Sequence, residues 1–530
     1  MKVLISDQIS DACLKVFAKY PQIEVLYKPE LGKNVDELKK AIADVDALAI
    51  RSATKVTADI LAAAKNLKVV GRAGIGVDNV DVEAASKKGV IVMNTPRGNM
   101  ITTAEHAIAM MCALVRSIPQ ATASIKSGKW EKNKFMGSEL FQKTLGIVGC
   151  GNIGKIVASR AQGLQMQVIA FDPFLSDDLA QDLGIKKVSL LELFRESHVI
   201  TVHTPLSEKT KHLINKEAFG EMRKGVYIIN CARGGIINED DLAWAIEQKI
   251  VQGAALDVFE IEPVPTDHPL LKLEQVICTP HLGAATEEAQ ENVAVDVAVQ
   301  IAEFLTQGTV VNAVNTPSAS TEVLKQMEPY IQLAKKMGLF FGQLCEESPT
   351  AIHIRYYGDI VKFPTAALTS AILQGILGVM SSTLAVNSVN APYLAKERGI
   401  AIQESKNSQH SDYTALIEVE LAFKTKNYVC SGTVFGKNQA RFVRYNGNSI
   451  ELRPEGHMIM IDNEDKPGVM GRVGTYLGAQ GVNITHLQLG LNEVTKQATA
   501  FYSLSGDVAK NVIDGIAALD GILSARKIVL

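Results

Sequence analysis

The sequence has 530 residues, of which 47% are hydrophobic and 21% charged, and its formal net charge is −3 at pH 7. This length predicts three or four domains of roughly 100–200 residues each. The balanced charge gives no reason to expect a nucleic-acid or membrane-surface partner, and no apolar run reaches the ~20 residues of a membrane span. Because the seven cysteines show no C-x-x-C spacing, we expect no disulfide framework and no metal site, and the pattern favours a reducing cytoplasm.

Residues 1–97 alternate between apolar runs and helical stretches, which predicts a small α/β unit. Its predicted strands lie at Val3–Ile5, Ala47–Ile50, Lys68–Val70 and Val90–Met93. Arg51 and Arg72 follow two of these runs, at the sheet edge where open α/β folds present ligand-binding loops. Gly74 and Gly76 would let backbone approach an anion closely. The alternative interpretation is that both arginines are ordinary solvated side chains.

A mostly apolar stretch from Thr102 to Ala123 predicts one long helix. It is hydrophobic around more of its circumference than a single buried face requires. We therefore expect it to contribute to an oligomer interface.

Residues 145–173 read as a dinucleotide-binding turn between two strands. An apolar run leads into a G-x-G-x-x-G set whose glycines are Gly149, Gly151 and Gly154. In such a turn the first glycine allows the tight bend, the second admits the pyrophosphate, and the third allows helix and strand to pack closely. The phosphates then face a helix N-terminus.

Asp172 ends the second apolar run of this unit. A carboxylate there would accept hydrogen bonds from the ribose hydroxyls and repel a 2′-phosphate. The sequence therefore predicts NAD rather than NADP as the cofactor.

Three charged residues, Arg233, Glu262 and His281, follow later predicted strands of the same unit. Removing hydride from a secondary alcohol requires a base for the hydroxyl proton, and His281 suits that task near neutral pH. Glu262 would orient the imidazole and favour its protonated form. Arg233 would hold a substrate carboxylate bidentately. A structural loop histidine is the alternative interpretation of His281.

These motifs make the chain resemble the D-isomer-specific 2-hydroxyacid dehydrogenases along its full length. The resemblance is carried by VVGRAGIGVDNVD, NTPRGN, KWEKNKFMG, GCGNIG, VHTPL, NCARGG, ALDVFEIEP and TPHLGAAT. It implies Arg233, Glu262 and His281 as the catalytic set. It implies an NAD site formed by Gly149, Gly151, Asn152, Ile153, Gly154, Asp172, Thr204, Cys231, Ala232, Asp257, Gly283 and Ala284. The implied substrate-binding residues are Arg51, Arg72, Gly74, Asn99, Arg233 and His281.

The C-terminal third predicts two further modules beyond a linker at Pro317. Residues 318–453 show helical patterns at Glu322–Cys345 and Ala366–Thr383 and resemble the intervening domain of the long enzymes of this family. Residues 455–530 parse as β-α-β-β-α-β, a split βαβ unit that resembles the ACT family of amino-acid-sensing domains. That resemblance implies an effector site at Asn463, Asp465 and Asn483. Asp465 preceding a helix and Asn483 in a turn are the structural alternatives.

The resulting fold class is α/β, with a Rossmann-type doubly wound NAD domain (98–282) inserted in a discontinuous α/β substrate domain (1–97 and 283–313). An intervening domain (318–453) and a ferredoxin-like βαββαβ ACT domain (455–530) follow. The resemblance implies NAD-dependent oxidation of 3-phosphoglycerate in serine biosynthesis, feedback by L-serine, a homotetramer and a cytoplasmic location. Two alternatives stay open: oxidation of another D-2-hydroxyacid, such as 2-hydroxyglutarate or glycerate, and a non-catalytic, corepressor-like NAD sensor.

Overall fold

The computed structural model describes residues 1–317, 321–381, 386–409, 412–492 and 497–530. These residues form four β-sheets with helices packed against them. The first three residues of the predicted third module (318–320) and the predicted helix end at Thr383 lie outside the described residues.

The N-terminal module is a five-stranded parallel sheet in the order β2-β1-β3-β4-β5. Its elements are β1 (Lys2–Ile5), α1 (Ala12–Phe17), β2 (Glu24–Tyr27), α2 (Val35–Ala41), β3 (Ala47–Ile50), α3 (Ala58–Ala63), β4 (Val69–Arg72), α4 (Val82–Lys88) and β5 (Ile91–Asn94). The sequence analysis did not predict β2. It is a partly exposed edge strand, whereas the buried inner strands read as continuous apolar runs.

The second module is a seven-stranded parallel sheet in the order β12-β11-β10-β9-β6-β7-β8. Its elements are α5 (Met100–Val115), α6 (Ile118–Lys126), β6 (Thr144–Val148), α7 (Asn152–Gly163), β7 (Gln167–Phe171), α8 (Asp177–Asp182), β8 (Lys186–Lys187), α9 (Leu190–Glu196), β9 (Val199–Val202), α10 (Lys216–Glu221), β10 (Val226–Asn230), α11 (Glu239–Glu247), β11 (Val251–Leu256) and β12 (Val276–Cys278). The strand order reverses between β6 and β9, and ligands bind at such a switch point. The glycine-rich turn therefore lies at the expected crevice.

The prediction of one long helix from Thr102 to Ala123 is wrong. The chain forms two helices there, α5 and α6, whose axes meet at 62°. Ser117 adopts a left-handed conformation (φ 49°) between them, and Pro119 lies in the first turn of α6. A proline cannot donate the backbone hydrogen bond that a continuous helix needs there. No single helix in the described parts of the chain has the length and apolar character of a membrane span, although α5 and α6 taken together have both.

The chain returns to the N-terminal module through α12 (Glu287–Gln307). Val297 and Ile301 of α12 pack so closely over β4 that a Cβ atom on Gly71 would lie 2.7 Å from each of them. Farther on, the Asn315 side chain accepts the Val92 N–H of β5 at 2.9 Å. Helix α12 and the residues after it therefore pack against the N-terminal module, as expected for a discontinuous substrate domain. The domain boundaries themselves stay predictions.

The third module is a six-stranded mixed sheet in the order β14-β13-β15-β16-β17-β18. Its elements are α13 (Thr321–Leu344), β13 (Ala351–Gly358), α14 (Ala366–Met380), α15 (Ala391–Glu397), β14 (Ala401–Asn407), β15 (Ala415–Ala422), β16 (Asn427–Phe435), β17 (Gln439–Tyr445) and β18 (Asn448–Leu452). Helices α13 and α14 touch at Gly338 and Gly375, where a Cβ atom on Gly338 would lie 2.9 Å from the Gly375 Cα. These two glycines allow the helices to pack backbone to backbone.

The C-terminal module is a four-stranded antiparallel sheet in the order β20-β21-β19-β22. Its elements are β19 (His457–Glu464), α16 (Val469–Ala479), β20 (Ile484–Asn492), β21 (Gln497–Leu504), α17 (Lys510–Ala517) and β22 (Ile522–Val529). This is the β-α-β-β-α-β order predicted from the sequence, which confirms the ferredoxin-like fold.

One face of this last sheet packs against the third module rather than against solvent. Met458, Met460 and Phe501 belong to the same hydrophobic core as Phe340 of α13, and the Phe340 and Phe501 rings lie 6.3 Å apart. The sequence predicted two separate modules, whereas the structure joins them through one core.

Candidate active site

A cavity of about 520 Å³ lies in the cleft between the first two sheets. It is lined by Arg72, Ile75, Gly76, Val77, Asp78, Pro96, Asn99, Thr103, Asn152, Ile153, His203, Thr204, Pro205, Leu206, Cys231, Ala232, Arg233, Asp257, His281, Gly283 and Ala284. Many residues predicted for the NAD and substrate sites are in this set. The predicted site residues that do not line it are Arg51, Gly74, Gly149, Gly151, Gly154, Asp172 and Glu262.

His281 and Glu262 form a hydrogen-bonded pair beside the cavity. Nδ1 of His281 lies 2.8 Å from Oε2 of Glu262, and Oε1 of Glu262 accepts the Phe259 N–H at 3.1 Å. With Nδ1 paired, Nε2 is the ring nitrogen left to exchange a proton with a ligand. His281 has a left-handed backbone (φ 56°), an uncommon state for a residue with a side chain that marks a constrained position.

Asp257 supports the loop that carries His281. Its buried carboxylate accepts the N–H groups of Leu282 (2.7 Å) and Gly283 (2.8 Å) and the Thr279 hydroxyl (2.5 Å). His106 of α5 approaches the same carboxylate at 3.2 Å. Burial opposes ionisation of Asp257, but these hydrogen bonds outweigh it, and the pKa of the carboxyl is lowered from its ordinary value. A charged Asp257 therefore holds the loop in place.

Sequence reasoning missed His106, because a histidine inside an apolar helix carries no signal of its own. Only the packing of α5 against β11 and β12 brings it to Asp257.

Arg233 reaches across the cleft to the N-terminal module. Its Nε lies 3.1 Å from Oδ2 of Asp78, and its Nη1 donates to the Ala232 carbonyl at 2.7 Å. A Cβ atom on Gly76 would lie 1.8 Å from Nη2 of Arg233. Sequence reasoning did not single out Asp78, although it belongs to the quoted motif VVGRAGIGVDNVD.

The glycines after Arg72 make room for two arginine side chains. A Cβ atom on Gly74 would lie 1.7 Å from Nη1 of Arg72, so Gly74 accommodates that guanidinium as Gly76 accommodates that of Arg233. The Gly74 N–H donates to the Thr95 hydroxyl at 2.7 Å. The expectation that these glycines let an anion approach the backbone stays a prediction.

Two further arginines carry positive charge into this region. Burial, followed by repulsion from Arg233, lowers the pKa of Arg72 to about 10, so the guanidinium is still charged at neutral pH. Arg51 is half-buried after β3 and also repels Arg72. Its backbone N–H donates to Oδ2 of buried Asp7 at 2.6 Å, which fixes the loop that carries it.

The glycine-rich turn has the geometry that a bound dinucleotide requires. Gly149 has φ 93°, and a Cβ atom there would lie 2.6 Å from the Thr204 side chain. A Cβ atom on Gly154 would lie 2.2 Å from the Gly149 carbonyl, whereas one on Gly151 would meet no described atom within 4 Å. The first and third glycines thus serve packing, and Gly151 leaves open space at the start of α7 for phosphate oxygens.

Asp172 borders this turn at the end of β7. Its Oδ2 accepts the Cys150 N–H at 2.8 Å, and its Oδ1 accepts the Phe174 N–H at 2.7 Å. These bonds direct the carboxylate to the edge of the turn, where an adenosine ribose would bind.

Unpaired polar atoms in the cavity wall also fit a ligand. Oδ1 of Asn99 and Oγ1 of Thr204 are buried and have no hydrogen-bond partner among the described residues. Such atoms are costly to bury unless a partner arrives. The residues present therefore fit an NAD molecule that spans the turn and the cavity.

The predicted effector residues lie far along the chain, in the C-terminal module. Asn463, at 2% exposure, is buried in β19, and its Oδ1 has no partner among the described residues. Asp465 and Asn483 are exposed, before α16 and before β20 respectively.

A 2-hydroxyacid loses hydride most readily when a base accepts its hydroxyl proton and a cation binds its carboxylate. This cleft presents both beside a nucleotide-binding sheet, and the combination defines the class of NAD-dependent D-isomer-specific 2-hydroxyacid dehydrogenases. A family model described as the NAD binding domain of D-isomer specific 2-hydroxyacid dehydrogenases matches residues 108–283, and one for the D-3-phosphoglycerate dehydrogenase intervening domain matches residues 326–446. The chain belongs to the D-3-phosphoglycerate dehydrogenase family of these oxidoreductases.

Relatives of full length support this assignment. The D-3-phosphoglycerate dehydrogenase of Bacillus subtilis is 41% identical over 527 residues, which cover 99% of each chain. That of Archaeoglobus fulgidus is 40% identical over an alignment of 533 positions, which covers all of both chains.

Solved structures match about three fifths of this chain. The TT0316 protein of Thermus thermophilus has a TM-score of 0.55 and 31% identity, covering 59% of this chain and 100% of its own. A D-lactate dehydrogenase of Aquifex aeolicus complexed with NAD and lactic acid has a TM-score of 0.53 and 27% identity, covering 60% of this chain and 100% of its own. The predicted cofactor, NAD, is confirmed by the family model and agrees with the Aquifex aeolicus neighbour, whose structure contains NAD.

Proposed function

We propose that the protein oxidises 3-phosphoglycerate to 3-phosphohydroxypyruvate, as the entry step to serine. His281 accepts the C2 hydroxyl proton at Nε2, while Glu262 stabilises the imidazolium that forms. Arg233 holds the substrate carboxylate. NAD, when bound, supplies the hydride acceptor. In this proposal Asn152, Ile153, Thr204, Cys231, Ala232 and Asp257 contact the cofactor with Gly283 and Ala284, and Asp172 binds its ribose.

The observation that carries the substrate assignment is the group of three arginines, Arg51, Arg72 and Arg233, at the cleft. Arg72 and Arg233 line the cavity, and Arg51 directly follows Ile50, which pairs with Arg72 between β3 and β4. After burial, the charges of Arg233 and Arg51 also lower the pKa of Arg72. A simple 2-hydroxyacid has one carboxylate and needs one such cation, whereas a phosphorylated one needs more. Surplus positive charge of this kind supports a substrate with a phosphate group, to which arginine binds strongly.

The test is a panel of D-2-hydroxyacids assayed for NADH formation at matched concentrations. We expect the highest kcat/KM for 3-phosphoglycerate, and lower values for glycerate, which lacks the phosphate, and for 2-hydroxyglutarate. A higher kcat/KM for glycerate or 2-hydroxyglutarate would identify that compound as the substrate instead of 3-phosphoglycerate. NAD binding without turnover of any member would favour the sensor alternative.

We also propose that L-serine binds the C-terminal module and lowers activity. The support is chemical: Asp465 can accept from an ammonium, and Asn463 and Asn483 can bond a hydroxyl. A route to the cleft exists, since the third module docks on the first through Val389, which is buried in the first module's core, and through Asn387, whose Nδ2 donates to the Gly89 carbonyl at 2.7 Å.

Serine titration of the full chain tests this regulatory proposal. A coupling of ~1–3 kcal/mol would change substrate affinity or turnover severalfold. We expect Asn483→Ala to abolish the serine effect, while Asn511→Ala, which alters an exposed asparagine on α17 of the same module, retains it. If serine has the same effect on both variants, Asn483 is not part of the effector site.

A homotetramer is proposed from apolar side chains that this chain leaves exposed. Trp130 and Met136 are 85% and 86% exposed in the segment after α6, and Leu487, Leu489 and Leu491 form an exposed row along β20. Patches of this kind usually mark protein contacts, and two distinct patches allow two kinds of contact. Light scattering of the purified chain measures the subunit number. The predicted cytoplasmic location and domain boundaries are likewise retained as proposals.

A further inference from the structure

The contact between Asp78 and Arg233 bridges the two walls of the cleft. Asp78 lies on the N-terminal module, 155 residues before Arg233, and its Oδ2 lies 3.1 Å from the Arg233 Nε. Its side chain is 66% exposed, against 28% for Arg233. Both residues line the cavity.

The contacts of the other two Arg233 nitrogens show that a carboxylate ligand must compete with Asp78 for this guanidinium. Nη1 donates to the Ala232 carbonyl at 2.7 Å, and Nη2 lies against Gly76. A bidentate carboxylate normally takes two neighbouring N–H groups of one guanidinium. Since Asp78 already occupies Nε, a ligand that engages the Nε edge of Arg233 must compete with a carboxylate that belongs to the protein.

The neighbouring residue has a structural task that Asp78 does not share. Nδ2 of Asn79 donates to the carbonyls of Arg51 (2.8 Å) and Thr54 (2.7 Å) and so holds the loop after β3. The side chain of Asp78 instead pairs with Arg233. Removing the Asp78 charge therefore need not disturb the loops around the cleft.

We propose that Asp78 is a counter-ion that the substrate carboxylate displaces from Arg233. It neutralises part of the three-arginine group while the cleft lacks substrate, and it sets the affinity for carboxylate ligands. This inference deepens the proposed function, since it rests on Arg233 as the carboxylate-binding residue. Asp78 is a positioning residue, because it acts through Arg233.

The experiment compares the full-length protein with Asp78→Asn, Asp78→Glu and the control Glu83→Gln. Glu83 lies in the same module, is exposed and pairs with Lys87 rather than with a cleft arginine, so the control removes an equal charge. KM and kcat are measured with 3-phosphoglycerate. The dissociation constant of oxalate from the NAD-loaded protein, measured by calorimetry, serves as a readout that needs no turnover.

Because exposed ion pairs are weak, we expect Asp78→Asn to lower both KM and the oxalate dissociation constant by about 1.4- to fivefold. We expect kcat to change less than KM, Asp78→Glu to restore values close to those of the original protein, and Glu83→Gln to leave them unchanged.

A rise in both constants for Asp78→Asn would show that Asp78 anchors Arg233 for the substrate and would overturn the inference, as would no change. Failure of the proposed function is distinguishable: the protein would then not oxidise 3-phosphoglycerate, while the oxalate measurement would still report on Asp78.

Discussion

The carboxylate of Glu262 joins the His281 imidazole to the loop that follows β11. One oxygen lies 2.8 Å from Nδ1 of His281, and the other accepts the Phe259 N–H at 3.1 Å. The pair therefore sets both the direction of the ring and the charge beside it.

Glu262→Gln tests that charge through the rate of turnover. The amide can keep a hydrogen bond to the ring, but it lacks the negative charge that stabilises the imidazolium formed during oxidation. We expect kcat to fall about tenfold or more while NAD affinity changes little, and an unchanged kcat would show that the Glu262 charge is not needed.

His281→Ala tests the base itself. We expect kcat to fall ~10²–10⁴-fold with little effect on NAD affinity. Full activity of His281→Ala would show that His281 is not the base.

Arg51→Ala tests recognition of the phosphate. We expect KM for 3-phosphoglycerate to rise about tenfold or more, because a charge-assisted hydrogen bond contributes about 1.5–3 kcal/mol, while KM for glycerate changes little. Lys39→Ala is the control, since it removes a cation that pairs with Asp59 in the same module. Equal effects on both substrates would exclude Arg51 from the phosphate site.

Asp172→Ala tests the choice of cofactor. The substitution removes the acceptor for the ribose hydroxyls and the charge that repels a 2′-phosphate. We expect NAD to bind about tenfold more weakly or worse, and the preference for NAD over NADP to narrow. Calorimetric titration with both cofactors measures this, and unchanged affinities for the two would contradict the assignment.

His203→Gln tests a stability effect of pH. Burial lowers the pKa of His203 to about 4 from the ordinary value of 6.5, so between these values the unfolded chain binds the proton and the folded chain does not. Stability is fully present above pH 6.5 and falls as the pH drops toward 4, by at most about 3 kcal/mol at 1.36 kcal/mol per unit. The glutamine variant should lose less stability over this window.

Tryptophan fluorescence suits this measurement, because both tryptophans of the chain, Trp130 and Trp244, lie in residues 98–282 with His203. Urea unfolding followed by tryptophan fluorescence therefore reports mainly on the unfolding of residues 98–282. Identical pH dependence for the original protein and His203→Gln would show that His203 does not contribute.

Local sequence determined much of this protein. Fully buried parallel strands read as apolar runs, so the doubly wound sheet, its glycine-rich turn and the NAD cofactor followed from residues close together in the chain. The role of Asp172 in selecting NAD over NADP stays a prediction. The family and the class of reaction were likewise predicted and are confirmed. The break between α5 and α6 was missed, although Pro119 lies within the stretch, because hydrophobic periodicity alone does not register a left-handed residue such as Ser117.

Tertiary structure decided the contacts between residues that are distant in the chain. The pairing of Asp78 with Arg233, the approach of His106 to Asp257, and the placing of guanidiniums over Gly74 and Gly76 depend on how whole modules pack. So does the core that joins the third and fourth modules through Phe340 and Phe501. Sequence patterns record the periodicity of one element at a time, whereas these contacts depend on the relative positions of two elements, which only the packed chain defines.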